Sequence, residues 1–500
     1  MQSIGTLKIA VEGCCHGELD KIYQALPDHV DLLLICGDFQ AIRNIVDLKS
    51  ISVPEKYKKL GDFHEYYSGK KVAPVLTIFI GGNHESSSYL KELKYGGWVA
   101  PNIYYLGEFG CVWYRGLQIS GISGIYNQRS FYDSIRNDNK DEILPYNPHT
   151  IRSIYQVKAK NYLKMYLMDQ QRLDIVLSHD WPQHIEKKGN MRKLLKDKPF
   201  FKADINNGSL GSPLNNVLLD HLKPRYWFAS HLHVRFQALV KHNTKRGNNC
   251  DADPASKKSK YNNDQVRNNT QNNEKIELEM DEDTDSNKLE LDMDKVGNNE
   301  EVKLDMDDFD KKSNTDKIEL NMDDFEIAFT TSNQPSLKVE NEVLETYFLA
   351  LDKCLPRRKF LEIMDVEVAK ENTSHPSYNN ESSDPKTGPT SLYYDKRSIA
   401  INKVIETFIK SNLKVWNSIR QEDFYKFVHK QFDLYTELED EIKFELIKLN
   451  NMPDELFQID SNSFRIIAPT SIEEDIPLKY WENNQTIEYC SKFQVPYNKL

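Results

Sequence analysis

Five short apolar runs in the first 240 residues each end next to a residue that can bind a metal ion or move a proton. Each run is continuous, which is typical of strands buried on both faces. Open α/β sheets place their ligands at the carboxyl ends of their strands. The repeated pattern therefore predicts one site assembled from five strand ends. The runs are residues 7–11 before Cys14 and His16, 30–36 before Asp38, 75–80 before Asn83 and His84, 173–177 before His179, and 226–229 before His231 and His233.

The residue types at these strand ends match the ligands of borderline metals. In an extended chain, residues i and i+2 point the same way, so Cys14 and His16 can reach one ion, as can His231 and His233. The Asp38 carboxylate can bridge two cations. Taken singly, each residue has an ordinary explanation in a buried core or a strand-end turn. Together, a mixed set of nitrogen, oxygen and sulfur ligands predicts zinc, iron or manganese, with one or two ions.

The order of these residues resembles that of the calcineurin-like metallophosphoesterase superfamily, whose motifs are Asp-x-His, Gly-Asp, Gly-Asn-His-(Asp/Glu), a later His, and Gly-His-x-His. Two positions depart from that pattern, because Cys14 stands where most members have Asp and Ser230 where many have Gly. The cysteine narrows the resemblance to the RNA lariat debranching enzymes, whose first motif is Gly-Cys-x-His-Gly. Further matches to that family lie at residues 37–44, 121–126, 178–182 and 348–358.

The resemblance implies a fold and a reaction. The fold is the four-layer α/β/β/α sandwich of metallophosphoesterases, in a mixed α and β chain. The reaction is the metal-dependent hydrolysis of the 2′-5′ phosphodiester bond at the branch point of excised intron lariat RNA, and the implied location is the nucleus, with possible shuttling to the cytoplasm. The alternatives are another metallophosphoesterase, either a phosphatase or a small-molecule phosphodiesterase, and a non-catalytic scaffold on the same fold.

The resemblance also implies residue roles. One pocket is lined by His16, Asp38 and His233, with Cys14 beside it; the other is lined by Asp38, Asn83, His179 and His231. His84 is the expected catalytic residue, which contacts the phosphate and helps the adenosine 2′-oxygen to leave as an acid or hydrogen-bond donor. We expect Fe(II), Zn(II) or Mn(II), and a thiolate at Cys14 favours Fe(II) or Zn(II) over Mn(II).

RNA contacts are expected after the strand that ends near residue 122. Tyr126, Arg129, Phe131 and Tyr132 combine aromatic rings with a cation, which suits stacking on unpaired bases and contact with phosphates. A plain surface loop is the alternative interpretation. Because of the family resemblance, we interpret these four residues as substrate-binding.

The charge distribution divides the chain. The net charge is −11, but residues 274–326 alone carry −14, so the remainder carries +3 and can meet a polyanion. That acidic segment holds a degenerate repeat that starts at residues 276, 289, 302 and 318. We predict a disordered insert over 241–340, and the repeats could instead bind protein partners as added strands.

The predicted organisation has five parts: a catalytic domain over 1–240, the insert over 241–340, strands that complete the catalytic domain over 341–370, a linker over 371–394, and a helical C-terminal region over 395–500. The seven cysteines are scattered and no secretory signal precedes the first strand, which favours reduced thiols. No apolar run is long enough to span a membrane. We expect a monomer that binds branched RNA and has no membrane contact.

Overall fold

A computed structural model describes residues 5–136, 140–169, 172–242, 344–378, 392–419, 433–471 and 476–497. The predicted insert over 241–340 and its acidic repeats lie outside these ranges, except that residues 241 and 242 end a strand. Within the described ranges, no helix is long and apolar enough to cross a membrane.

The described residues form fourteen strands. In chain order they are β1 (Thr6–Glu12), β2 (Leu32–Ile35), β3 (Thr77–Phe79), β4 (Gly97–Ala100), β5 (Ile103–Tyr105), β6 (Phe109–Tyr114), β7 (Leu117–Ile122), β8 (Ile175–Ser178), β9 (Tyr226–Ala229), β10 (Phe236–His242), β11 (Leu344–Ala350), β12 (Leu361–Glu367), β13 (Leu392–Tyr394) and β14 (Gln458–Ile459).

These strands build two mixed sheets. The first has the order β12-β1-β2-β3-β5-β4, in which β1, β2, β3 and β5 are parallel. The second has the order β10-β11-β9-β8-β7-β6-β13-β14, in which β11, β9, β8 and β7 are parallel. The predicted strands after the insert complete both sheets, because β11 pairs with β10 and β9 while β12 pairs with β1.

Helices cover the outer faces of both sheets. They are α1 (Leu19–Ala25), α2 (Phe63–Tyr67), α3 (Ser87–Glu92), α4 (Gln128–Arg136), α5 (Thr150–Ser153), α6 (Ala159–Tyr166), α7 (Met191–Asp197), α8 (Phe201–Asn207), α9 (Pro213–Leu222), α10 (Lys396–Ser411), α11 (Leu413–Ser418), α12 (Asp433–Asn450) and α13 (Asn484–Phe493). Four begin at side-chain caps that accept a backbone N–H: Asn190 before α7, Ser212 before α9, Asp395 before α10 and Asn483 before α13.

The main core lies between the two sheets. Alternate residues of β1, such as Ile9 and Val11, face Ile119 of β7 and Leu177 of β8 across the interface. The opposite face of the first sheet, which includes Ala10 and Leu33, packs under α1, α2 and α3. Helix α6 packs against β6 and β7 on the other side. The predicted α/β/β/α sandwich with a mainly helical C-terminal region is confirmed.

The predicted linker over 371–394 differs from the structure at both ends. A 3-10 helix spans Lys370–Ser374, and β13 ends the segment by pairing with β6. The polar composition of the segment gives no sign of these contacts. The His375 ring stacks on Trp113 of β6, with ring centroids 4.1 Å apart. Residues 379–391 lie outside the described ranges.

A buried ion cluster joins the segment after β2 to α3. Arg43 is fully buried and donates to Asp47 at 2.8 and 3.0 Å and to Glu92 at 2.9 and 3.2 Å. Its guanidinium lies 4.0 Å from the centroid of the Tyr89 ring. The N–H of Trp481 also donates to Glu92, so the cluster holds a C-terminal segment as well. A buried charge is tolerated only when it is paired in this way.

Arg43→Met should lower the free energy of unfolding by about 3–5 kcal/mol, because it leaves two buried carboxylates without their cation. The measurement is a guanidinium chloride unfolding curve. The matched control is Arg192→Met, since Arg192 is exposed on α7, and the expected change there is within about 0.5 kcal/mol. Equal midpoints for the two variants would contradict the structural role of the cluster.

His375→Gln should make stability less dependent on pH between about 6.5 and 4. Burial lowers the pKa of His375 to about 4, and the Ser377 N–H donates to its Nδ1, so the folded protein holds a neutral ring. The usual unfolded pKa is about 6.5. The stabilisation is therefore complete above about pH 6.5 and is lost as the pH falls towards 4.

The wild type should lose about 2 kcal/mol more than His375→Gln over that range, since one pKa unit corresponds to about 1.4 kcal/mol and the ring keeps some exposure. Unfolding curves at pH 7 and pH 4 measure the difference. His149→Gln, at an exposed histidine, should behave as the wild type does. A His375→Gln variant with the wild-type pH dependence would show that this ring does not anchor the segment.

Candidate metal centre

The structure brings the predicted ligands together around Asp38, which follows β2. This carboxylate is buried, with 1% of its surface exposed. Its Oδ2 lies 3.6 Å from Nε2 of His16, and its Oδ1 lies 3.3 Å from Nε2 of His179. One carboxylate therefore faces two separate groups of ligands, as the sequence predicts for a bridging position.

The first pocket contains Cys14, His16, Asp38 and His233, whose ligand atoms all lie within 4.8 Å of one another. The Nε2 atoms of His16 and His233 are 3.3 Å apart. Burial lowers the pKa of His16 to about 4 and the pKa of His233 well below its usual value. Both rings are therefore neutral at physiological pH, and neutral imidazole is the form that binds metals.

The second pocket contains Asp38, Asn83, His179 and His231. The Nδ1–H of His179 donates to the carbonyl of Cys36 at 2.7 Å, which fixes the ring. Its Nε2 then faces Oδ1 of Asn83 at 3.1 Å and Oδ1 of Asp38 at 3.3 Å. Two oxygens and a ring nitrogen converge there, and only a cation or a proton on the nitrogen makes that arrangement favourable.

His231 completes this pocket from the end of β9. Its ring centroid lies 5.0 Å from that of His179, and burial lowers the pKa of His231 to about 3. Burial is the largest single effect on the pKa of His179 and lowers it, but the charge and hydrogen bond of Asp38, the Cys36 carbonyl and the charge of Glu85 together raise that pKa above its usual value. A metal ion at Nε2 of His179 would have to displace a proton bound there.

Cys14 is fully buried, and its Sγ accepts the backbone N–H of His231 at 3.2 Å. Burial and the nearby Asp38 raise the pKa of the Cys14 thiol well above its usual value. The thiolate that binds metals is thus disfavoured unless a cation is present. The sulfur, imidazole and carboxylate donors of the two pockets together fit borderline divalent ions.

Backbone strain is concentrated at this centre. His16, Asp38, His231 and His233 adopt left-handed conformations, with φ of 49°, 49°, 61° and 49°. Such conformations cost about 1–3 kcal/mol each outside glycine and persist where the surroundings enforce them. The sequence carries no signal for this strain, because these residue types follow strands in many proteins without it.

His84 lies beside both pockets and is nearly buried. Its backbone N–H donates to Oδ1 of Asp38 at 2.8 Å, and its Nδ1–H donates to the carbonyl of Ser52 at 3.1 Å. Because Nδ1–H donates to the Ser52 carbonyl, Nε2 of the neutral ring is the acceptor, and it lies 3.0 Å from the Asn83 amide nitrogen. The ring is held for contact with a ligand rather than for metal binding through Nδ1.

Two polar residues that sequence reasoning did not assign support the centre. The buried Glu85 carboxylate accepts the N–H groups of Phe39, Gln40 and Gly82 at 2.7–2.9 Å, which fixes the turn around Asp38. The Ser230 hydroxyl donates to the Cys36 carbonyl at 2.7 Å and lies 3.0 Å from Nδ1 of His179. The Asn-His-Glu motif contains Glu85, but no sequence rule says which backbone it holds.

The predicted RNA-contact residues do not form one exposed face. Phe131 is fully buried and packs against Tyr162 of α6, so the prediction that it stacks on a base is wrong. Its burial follows from the helical spacing of α4, which turns this ring inward. Arg129 is exposed, with 73% of its side chain accessible, whereas Tyr126 and Tyr132 are half-buried. These three remain candidates.

Family models match both halves of the chain. The calcineurin-like phosphoesterase model matches residues 7–235. The model described as the lariat debranching enzyme C-terminal domain matches residues 343–498. Together they account for the sandwich, the strands after the acidic segment and the helical C-terminal region.

Curated relatives match along the same regions. The lariat debranching enzyme of Homo sapiens is 36% identical over 98% of this chain and 69% of its own length. That of Schizosaccharomyces pombe is 40% identical over 80% of this chain and 79% of its own length. The Drosophila melanogaster enzyme is 52% identical over 47% of this chain and 45% of its own length.

Gly82→Ala should abolish metal binding at this centre. A Cβ at residue 82 would lie 2.2 Å from Oδ1 of Asp38 and 2.5 Å from its backbone nitrogen, so the bridging carboxylate must move. The matched control is Gly81→Ala, where the nearest atom is the mobile end of the Leu90 side chain at 3.2 Å. Elemental analysis of both purified variants measures bound metal. Full metal content in a folded Gly82→Ala variant would contradict this account of the centre.

Proposed function

The chain belongs to the family of lariat debranching enzymes, and we propose that it is the metal-dependent phosphodiesterase that opens intron lariats in its cell. It hydrolyses the 2′-5′ bond at the branch point and leaves linear RNA for turnover. The observation that carries the proposal is Cys14 clustered with His16, Asp38 and His233, in a chain whose relatives match it over most of its length.

Cys14, His16, Asp38 and His233 would hold one divalent ion, and Asp38, Asn83, His179 and His231 would hold a second. Such ions act as Lewis acids on the phosphodiester and neutralise its developing charge. The softness of sulfur favours Fe(II) or Zn(II) over Mn(II) in the first pocket. Because Cys14 offers one donor atom where a carboxylate offers two, a single catalytic ion is also compatible with this ligand set.

His84 is the residue placed to act on the leaving group. The Ser52 carbonyl accepts its Nδ1–H, so Nε2 is the nitrogen that would act on the adenosine 2′-oxygen, and it can give a proton only from a doubly protonated ring. The hydrogen bond from the His84 backbone to Asp38 fixes the distance between this ring and the metal pockets. Glu85 holds the turn around Asp38 by accepting three backbone N–H groups.

The substrate sets the expected location and partners. Intron lariats are released in the nucleus, so we propose nuclear residence with possible shuttling to the cytoplasm. We also propose that the protein works as a monomer and that its acidic repeats bind protein partners. The family membership favours debranching over a protein-phosphatase reaction or a non-catalytic scaffold.

His84→Ala should lower turnover of a branched RNA by about 10²- to 10⁴-fold, the usual contribution of a positioned acid. The substrate is a synthetic RNA with one 2′-5′ branch, incubated without oxygen with Fe(II), Zn(II) or Mn(II). Bound metal should stay at the wild-type level, because His84 is not among the proposed ligands. His149→Ala should cleave as the wild type does.

The linear 3′-5′ RNA of the same sequence is the substrate control and should remain intact. The cleavage rates measured with the three ions show which ion supports catalysis best. A folded, metal-loaded wild-type protein that cleaves no branched RNA would overturn the proposed function. A His84→Ala variant with full activity would remove only the role given to that residue.

A further inference from the structure

The metal centre lies between two flanks of one sheet edge. Strands β7, β8, β9 and β11 are parallel, so their carboxyl ends share that edge, and β8 and β9 stand between the other two. The RNA-contact candidates of the sequence follow β7. The loop that follows β11 is on the opposite flank.

The loop after β11 adjoins the metal centre directly. The Cys14 N–H donates to the carbonyl of Asp352 at 3.4 Å, and the Cys354 N–H donates to the carbonyl of Cys14 at 3.2 Å. Lys353 lies between these two bonds. Residue 353 also forms a parallel β-bridge with Cys14. The backbone that carries the Lys353 cation therefore adjoins the first pocket.

The positive charge continues outward from Lys353. Arg358 pairs with Asp352 at 3.6 Å while 42% of its side chain stays exposed. Lys198, at the end of α7, is near the same group: its pKa is lowered by burial and by the charges of Arg358 and Lys353, against the attraction of Asp352. In the loop after β11 and the segment at the end of α7, cations outnumber the two carboxylates, which are those of Asp197 and Asp352. The cations are Lys198, Lys353, Arg357, Arg358 and Lys359.

An exposed aromatic ring stands beside these cations. Phe200 is 55% exposed, although it is large and apolar. Its ring rests against the buried Phe201, with centroids 4.8 Å apart, and Nζ of Lys198 lies 5.7 Å from its centroid. An exposed ring next to a row of cations is the arrangement by which proteins hold unpaired nucleotides, with bases stacked and phosphates neutralised.

We propose that Lys198, Phe200, Lys353 and Arg358 form a second RNA surface, which holds one single-stranded limb of the branched substrate. The inference rests on the proposed function and extends it to substrate selection. A branch nucleotide carries three limbs, and a site between two flanks can hold limbs on both sides. The surface would therefore favour substrates whose limb is long enough to pass Lys353 and reach Phe200.

The test compares a branched RNA whose limbs are each several nucleotides long with branched RNAs in which one limb at a time is cut to a single nucleotide. The variants are Phe200→Ala and the double variant Lys198→Gln with Arg358→Gln. The controls are Lys8→Gln and Lys443→Gln, which remove exposed cations from β1 and α12. The readout is the ratio of kcat/KM between the long and the trimmed substrates.

The ratio should fall about 5- to 100-fold in Phe200→Ala, which is the usual loss for one stacked base. In the double variant, the dependence of log KM on log salt should weaken by about 0.7 for each lost phosphate contact. In the wild type, trimming one particular limb should lower kcat/KM to a similar extent. That limb is then the one that the proposed surface holds. Both control variants should keep the wild-type ratio.

An unchanged ratio in both variants would overturn the inference. So would an equal loss on the long and trimmed substrates, since the residues would then serve the fold or the metal centre. If the wild type cleaves none of the branched RNAs, the proposed function fails first. That result is distinguishable, because it does not depend on the variants.

Discussion

The buried carboxylate of Asp38 is the interaction on which the rest of this site depends. Each of its oxygens faces a different histidine, and one also accepts the backbone N–H of His84. A charge at 1% exposure is unfavourable unless cations or hydrogen bonds surround it. The structure surrounds it with candidate ligands from four other strand ends. A metal ion on either side would then turn this unfavourable charge into the common ligand of both pockets.

The two sheets make that arrangement possible because parallel strands from both end at the same place. Asp38 follows β2 in the first sheet, while His179 and His231 follow β8 and β9 in the second. Asp38 and His231 adopt strained left-handed conformations where the strand ends of the two sheets meet. The tightly packed core and the Arg43 cluster hold the strained turns in place, which is why the strain persists.

The sequence predicted the sheet strands and the ligand positions because both depend on local order along the chain. Apolar runs mark β1, β2, β8 and β9, and the ligands come within a few residues of each strand end. Contacts between distant segments were not predictable in this way. Glu85 reaches back 45 and 46 residues to the turn after Asp38. Phe131 looked like an exposed ring because the pattern did not reveal that α4 packs on α6.

The charge of the centre reconciles an acidic protein with a polyanionic substrate. Asp38 is the only carboxylate in the two proposed pockets, since the other ligands are imidazoles, an amide and a sulfur. Glu12 lies close by, but burial and Asp38 raise its pKa well above the usual value, so it adds little negative charge. One divalent ion would balance the negative charges of Asp38 and a Cys14 thiolate, and two ions would exceed them. Lys353 adds a further cation beside the first pocket. A phosphodiester therefore meets a locally positive surface, although the chain as a whole carries −11.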